Sequence, residues 1–542
     1  MTKPASCTPH FDAIVIGAGV SGMYALHHLR EMGLSVRAYD GAPRIGGTWW
    51  HNRYPGARVD GPSAPLYGYT FSDELVKEWT WTETQSSQPE VLSYLDHFAD
   101  KFDLRRDIQL DTWVQGACYD EATQRWTVDL GDERVLAEFV ICAVGALSAP
   151  NKPPIPGIDD FEGRVLHTGD WPTDPVSFEG KRVGVIGTGS SGIQAIPEIA
   201  KQAAHVTVFQ RSAQYTVPAR NRPLVPEELA AVRENWEAVR TGMVTPPPPE
   251  ALLPMMPGNG RSAFDETSEQ RHALYEELWT NGTLGFVYGN YAELLVNEEI
   301  NREVCAFLQG KIREIVDDPE TAEKLMPDHF YGTKRPILDD GYYATYNRDN
   351  VSLVDLRSDP IERMTAKGVQ TSSGEHAIDV LVLATGFDAI SGSMLRLNPV
   401  GRDGVRLDER WKEQFHNYLG LMVSGFPNLF MIHGPGTPGV LYLMPLGAEL
   451  ETEWIANCVE HMRSQGKGAV EPTVEAEGSW DSEVTELANR TLFPKTDSWY
   501  TGANIEGKSR HFAVHLGGPA YFERIRQIAD SGYAGFVFED EF

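Results

Sequence analysis

The runs Ala13-Ile14-Val15-Ile16-Gly17-Ala18-Gly19-Val20-Ser21-Gly22 and Val183-Gly184-Val185-Ile186-Gly187-Thr188-Gly189-Ser190-Ser191-Gly192 decide the fold. Each reads as a short apolar strand, a tight glycine turn and the start of a helix. Gly17, Gly19 and Gly22 in the first copy, and Gly187, Gly189 and Gly192 in the second, let the backbone approach a pyrophosphate. The helix N-terminus supplies N–H donors and a favourable dipole. A lone G-x-G-x-x-G is a weak signal, but two copies in this context are strong. They predict an α/β protein with two doubly wound, Rossmann-like nucleotide-binding domains, and two dinucleotides exchanging electrons. The next strand after the first copy, Ser35 to Tyr39, ends in Asp40, an acid placed to bond ribose hydroxyls, which points to FAD. After the second copy, His205 to Gln210 ends in Arg211, with Ser212 beside it. A cation there suits the 2′-phosphate of NADPH; the plainer reading is a solvated charge at a strand end. Thr188, Ser190, Ser191 and Gln194 surround the second helix start and are placed to meet the pyrophosphate.

The chain has 542 residues, long enough for roughly three to four domain-sized units. Residues 1–150 read as the first segment of an FAD-binding domain and 151–385 as an NADP-binding domain. A helical insertion is expected at about 222–330, where Leu229, Val232, Trp236 and Val239 recur at helical spacing. Prolines at 246–249, 254 and 257 interrupt it. Residues 386–542 are expected to rejoin the FAD domain. A proline-rich stretch from Ala149 to Gly157 reads as a linker.

The net charge of −30, with no basic block, argues against nucleic acid or an anionic membrane as partner. The five cysteines, Cys7, Cys118, Cys142, Cys305 and Cys458, form no C-x-x-C, so neither a redox dithiol nor a metal site is expected. No apolar run is long enough to span a bilayer, and the N-terminus lacks a signal-peptide pattern. The expectation is a cytoplasmic protein, monomeric or a small homo-oligomer.

Between linker and second fingerprint stands Phe161-Glu162-Gly163-Arg164-Val165-Leu166-His167-Thr168-Gly169-Asp170-Trp171-Pro172. It fits F-x-G-x-x-x-H-x-x-x-W-P and resembles the signature of type I Baeyer–Villiger monooxygenases, class B flavoprotein monooxygenases. Relatives that oxidise amines and sulfides usually lack the W-P or W-D ending. The resemblance extends over most of the chain, through Gly46-Gly47-Thr48-Trp49, Asn52 to Arg58 with Asp60, Gly332-Thr333-Lys334-Arg335, Leu383 to Phe387 and Ser498 to Asn504.

The resemblance implies that NADPH reduces FAD, that reduced flavin traps O₂ as a C4a-peroxide, and that this attacks a ketone to give an ester or lactone. By resemblance Arg335 is the cation that holds the peroxide anion and the tetrahedral adduct, and Asp60 orients it. Arginine suits the task because it stays protonated at any working pH. Read from the residues alone, the two could form an interdomain salt bridge. Gly47, Thr48, Trp49 and Arg58 are implied on the flavin side, with Met444 close to the flavin. Lys334 is implied to join Arg211 on the 2′-phosphate, and Trp499 to contact NADP near the nicotinamide ribose. His167 reads as a hinge residue rather than an acid or base.

Several positions depart from the family pattern. Asp40 replaces a glutamate; Gly61-Pro62-Ser63-Ala64-Pro65-Leu66-Tyr67 replaces an acidic, serine-bearing loop whose tyrosine falls at Leu66; Gly439 to Leu443 and Ala146 are also unusual. These positions bear on the pocket, so the ketone cannot be carried over from a relative. The alternatives are an N- or S-oxygenating flavin monooxygenase without ketone chemistry, and a flavin-loaded sensor without turnover. The second leaves a phosphate-matched nucleotide site unexplained.

Overall fold

A computed structural model describes residues 8–246 and 258–541. Cys7 and the prolines at 247, 248, 249, 254 and 257 lie outside the described residues.

The apolar run before the first fingerprint forms the strand His10–Ile16, the centre of a seven-stranded sheet. On one side lie Val36–Tyr39 and then Ile108–Gln109, all parallel. On the other lies Arg134–Cys142, which pairs two partners along one edge. Its first half takes the antiparallel strand Arg125–Asp129, and its last three residues take Leu429–Met431 in parallel. The core beneath this sheet combines Val15, Leu26, Phe98 and Ile141 with Leu421, Phe430, Trp454 and Tyr521.

The second fingerprint strand, Arg182–Ile186, lies in a five-stranded, all-parallel sheet. Its order is Val351–Asp355, His205–Gln210, Arg182–Ile186, Val380–Leu383, Arg164–His167. Ile193, Ile196 and Ile199 of the helix Ser190–Ala200 pack on it in one buried cluster with Val185 and Val208. Pro197, interior to this helix, cannot donate to the Ile193 carbonyl, and it falls in the last turn of the helix, where few further bonds depend on it.

Between His205–Gln210 and Val351–Asp355 the chain builds the helices Pro226–Glu234, Trp236–Val244, Ser268–Asn281 and Glu298–Ile315. In the last, Ile300, Val304, Phe307, Leu308 and Ile312 are buried at helical spacing, and Asn297 caps it by accepting the Ile300 N–H at 3.0 Å. A single buried core runs from Tyr275, Phe286 and Phe307 of this module to Ile14 and Val140 of the first sheet. The four described cysteines are free, with Cys142, Cys305 and Cys458 buried and Cys118 exposed. Among the described residues no helix is long and apolar enough to cross a membrane.

Candidate active site

The two fingerprints repeat one geometry. Gly17 (φ +108°) and Gly187 (φ +107°) sit in a backbone region that disfavours side chains, and a Cβ on either would lie 2.4 Å from a carbonyl oxygen, of Ala143 and Ala384 respectively. A Cβ on Gly22 or Gly192 would stand 1.9 or 2.3 Å from the Gly17 or Gly187 carbonyl. The helices Val20–Glu31 and Ser190–Ala200 start at Gly19 and Gly189 without a side-chain cap. Their first N–H groups therefore stay available to an anion.

Both helix starts open into one cavity of about 2010 Å³. Ligand pockets usually occupy about 300–1,000 Å³, so this one has room for two dinucleotides and a further small molecule. The residues present fit those groups. Gly17, Gly19, Asp40, Gly47, Thr48, Trp49 and Arg58 line its first half, and Thr188, Gly189, Ser190, Ser191, Arg211 and Ser212 its second. The Asp40 carboxylate accepts the Ala18 N–H at 2.6 Å and the Ala42 N–H at 2.8 Å, which locks it to the fingerprint turn. Gly47 lies directly behind Gly19, where a Cβ would be 2.9 Å from the Gly19 Cα. The Thr188 hydroxyl donates to the Ser212 carbonyl at 2.9 Å and ties the second fingerprint to the end of the neighbouring strand.

Gln194 bridges the two nucleotide folds. Its carbonyl oxygen accepts from the Tyr54 hydroxyl at 2.8 Å, and its amide donates to the Arg58 carbonyl at 3.2 Å. Arg58 itself pairs with Glu83 at 2.9 Å. The Trp171 end of the histidine motif docks on the same flavin-side segment, its N–H donating to the His51 carbonyl at 3.0 Å. His167 is buried at the hinge. Its Nδ1 accepts the Gly169 N–H at 2.9 Å, so Nε2 carries the proton and faces the Asn151 carbonyl at 3.2 Å. Burial lowers its pKa and keeps it neutral.

Arg335 projects into the cavity between these halves. Its Nη2 and Nε lie 2.7 and 2.9 Å from Asp60 Oδ2, and Nη1 donates to the Val440 carbonyl. Burial, the largest single influence, would lower its pKa, but the Asp60 charge and hydrogen bonds together with the Tyr500 and Tyr288 phenols make the net shift upward. The phenols of Tyr288 and Tyr500 lie within its field. Nearby, Tyr67 stands edge-on to Trp49, with ring centres 5.4 Å apart, and its hydroxyl accepts from Trp49 Nε1 at 3.1 Å. Burial raises the Tyr67 pKa, so it stays a neutral phenol. Leu66, Ala146, Leu147, Leu441, Tyr442 and Leu443 give this part of the wall an apolar face.

Met444 opens the helix Met444–Ser464 on the cavity wall, its carbonyl held by His433 Nε2 at 3.1 Å. Trp499 lines the cavity on a short turn, its ring centre 4.0 Å from that of Tyr500. Lys334 stands behind the wall rather than on it. Burial lowers its pKa, with Arg211 and Arg357 pushing the same way and Asp328 opposing.

Chain-wide likeness to known proteins follows this geometry. A family model described as flavin-binding monooxygenase-like matches residues 12–229. A Baeyer–Villiger monooxygenase of Pseudooceanicola batsensis is 43% identical over 537 residues, covering 97% of this chain and 96% of that one. The chain belongs to the Baeyer–Villiger monooxygenase family. It is a flavoprotein monooxygenase, an oxidoreductase with the two Rossmann-like domains of that family. A phenazine N-monooxygenase of Lysobacter antibioticus, 42% identical and covering 98% of both chains, lies within the same range of similarity. A solved steroid monooxygenase bound to NADP is 45% identical, covers 98% of this chain and 100% of its own, and superposes with a TM-score of 0.90.

For this family member, reading the sequence did not single out Tyr288, Tyr500 or the Tyr67–Trp49 contact. Tyr67 is adjacent to the position where a tyrosine was expected, and Ser63–Leu66 forms a kinked turn that carries it to Trp49. A tyrosine one place out of register was the available signal. Tyr500 stands beside Trp499 in the Ser498 to Asn504 stretch, which was its available signal, whereas Tyr288 comes from a remote segment and left none.

Proposed function

We propose that this chain is an FAD- and NADPH-dependent Baeyer–Villiger monooxygenase that inserts one atom of O₂ beside the carbonyl of an apolar, uncharged ketone, giving an ester or lactone. The observation that carries the reading is the Arg335–Asp60 pair, a fixed cation set against an otherwise apolar wall where two dinucleotide cradles meet. Bound NADPH supplies hydride and bound FAD the activation of O₂. The chain's own residues do the rest. The two fingerprint turns bind the pyrophosphates, Asp40 takes the ribose of FAD, and Arg211 with Ser212 favours the 2′-phosphate, Lys334 adding positive charge from behind the wall. Arg335 keeps its positive charge throughout, stabilising negative charge that develops on oxygen during the insertion. Asp60 orients the guanidinium by two contacts to one oxygen. Leu66, Leu441 and Leu443 exclude water from the reacting carbonyl. Met444 and Trp499 border the space between cofactors and substrate.

The phenazine N-monooxygenase relative favours one alternative, oxygenation at nitrogen on the same scaffold. Product analysis separates the two. Purified protein with FAD, NADPH and cyclic or open-chain ketones is expected to yield ester or lactone at one equivalent of NADPH per product. Oxygenation of aromatic amines or sulfides, with no ketone converted, would replace the first reading by the second.

A further inference from the structure

Tyr54, Tyr67 and Tyr442 line the cavity with their hydroxyls already engaged. Tyr54 donates to Gln194, Tyr67 accepts from Trp49, and Tyr442 donates to the Met243 carbonyl at 2.7 Å. The Tyr288 hydroxyl has no hydrogen-bond partner among the described residues. Tyr288 is 43% exposed, and it lines the same cavity.

The turn that carries Tyr288 is fixed without help from its side chain. Gly285–Tyr288 is a single helical turn of the inserted module. The Tyr288 N–H donates to the Leu284 carbonyl at 3.1 Å, and the Gly289 N–H to the Gly285 carbonyl at 2.8 Å. Phe286 and Val287 are buried, and Phe286 stands edge-on to Tyr331 with ring centres 5.5 Å apart. A phenol held this firmly, whose polar atom bonds nothing in the protein, is a group that a ligand completes.

The charged groups acting on this phenol are Arg335 and Asp60. Asp60 engages Nε and Nη2 of Arg335, and the Val440 carbonyl engages Nη1. A guanidinium has more N–H donors than these partners use. Burial pushes the Tyr288 pKa up, so its hydroxyl keeps the proton it has to donate.

We propose that Tyr288 is a further catalytic residue, whose hydroxyl donates a hydrogen bond to the oxygen of the bound ketone and holds it beside Arg335. The inference rests on the ketone reading above. Attack on the carbonyl carbon moves the π pair onto that oxygen, and the pair returns when the neighbouring carbon migrates to the inserted oxygen. The Tyr288 bond strengthens while the charge is present and transfers no proton.

Tyr288→Phe removes one oxygen atom and keeps the ring. In oxidised protein loaded with FAD and NADP⁺, perturbation of the flavin absorption compares binding of a seven-membered lactam, an unreactive strong acceptor, with binding of cycloheptane. The variant is expected to bind the lactam about three- to tenfold more weakly, the size of a neutral hydrogen bond, and cycloheptane within about twofold of wild type. With a ketone that the wild-type protein converts, kcat/KM for ester or lactone is expected to fall by about tenfold to a hundredfold. NADPH consumption is expected to continue, with hydrogen peroxide as its product. Equal weakening of both probes, or product at the wild-type kcat/KM, overturns the assignment and leaves the ketone reading standing. A wild-type protein that converts no ketone overturns both.

Discussion

Arg335 keeps its charge because Asp60, which accepts from it twice, acts with the phenols of Tyr500 and Tyr288 against the burial that would favour losing a proton. The consequence is a permanent cation where neither water nor a titrating lysine would serve as well. Arg335→Ala is expected to go on consuming NADPH and O₂ while ester formation falls by about a hundredfold or more, in line with the loss of one preorganised donor. Hydrogen peroxide would account for the missing oxygen. Ester at the wild-type rate would remove Arg335 from the chemistry. Single residues were also where the sequence was most readable. Asp40 and Arg211 follow their strands directly, so local order announced them. Tyr288 was silent, because the seating of an inserted helix brings it to the cavity.

At the scale of elements, the seam between the two nucleotide folds is built by close backbone contact. Gly56 has φ +83°, and a Cβ there would stand 2.4 Å from the carbonyl oxygen of Gln194 in the second fingerprint helix. Gly56→Ala combines a strained backbone with a collision against main chain, a class of change that costs about 1–3 kcal/mol. Differential scanning calorimetry is expected to show a lower melting temperature. Gly478→Ala is the control: it lies in the helix Val474–Asn489 with no atom within 4 Å of the added carbon, and alanine favours the helix. If both variants melt like wild type, the seam yields more than its geometry implies. The fingerprints were legible because strand, turn and helix are consecutive. This seam was not, since Tyr54 and Gln194 meet across 140 positions.

At the scale of the molecule, buried ionisable groups link segments far apart in sequence. Glu449 in the helix Met444–Ser464 accepts both the N–H and the hydroxyl of Thr70, and Arg240 of the inserted helices donates to that hydroxyl at 3.2 Å. Burial, the largest influence, pushes its pKa up to about 8. The folded protein therefore holds this proton to higher pH than the unfolded chain, where glutamate titrates near about 4.3. Stability from this group is complete below that value and is lost as pH rises through about 8. Melting temperature is expected to decline from pH 5 to pH 9, and Glu449→Gln is expected to flatten the decline while preserving an acceptor for the Thr70 N–H. An unaltered slope in the variant would assign the pH dependence elsewhere.

The strand Leu429–Met431 completes an edge that begins with Arg134–Cys142. Between the two, the ribosome must deliver the entire second sheet and its helices. At about 5–20 residues per second, that interval lasts tens of seconds. During it the nascent first half carries an open edge and an uncovered apolar floor, while the intervening half already owns all its strands. Completion of the first sheet thus waits on a stretch of chain that contains every strand of the second.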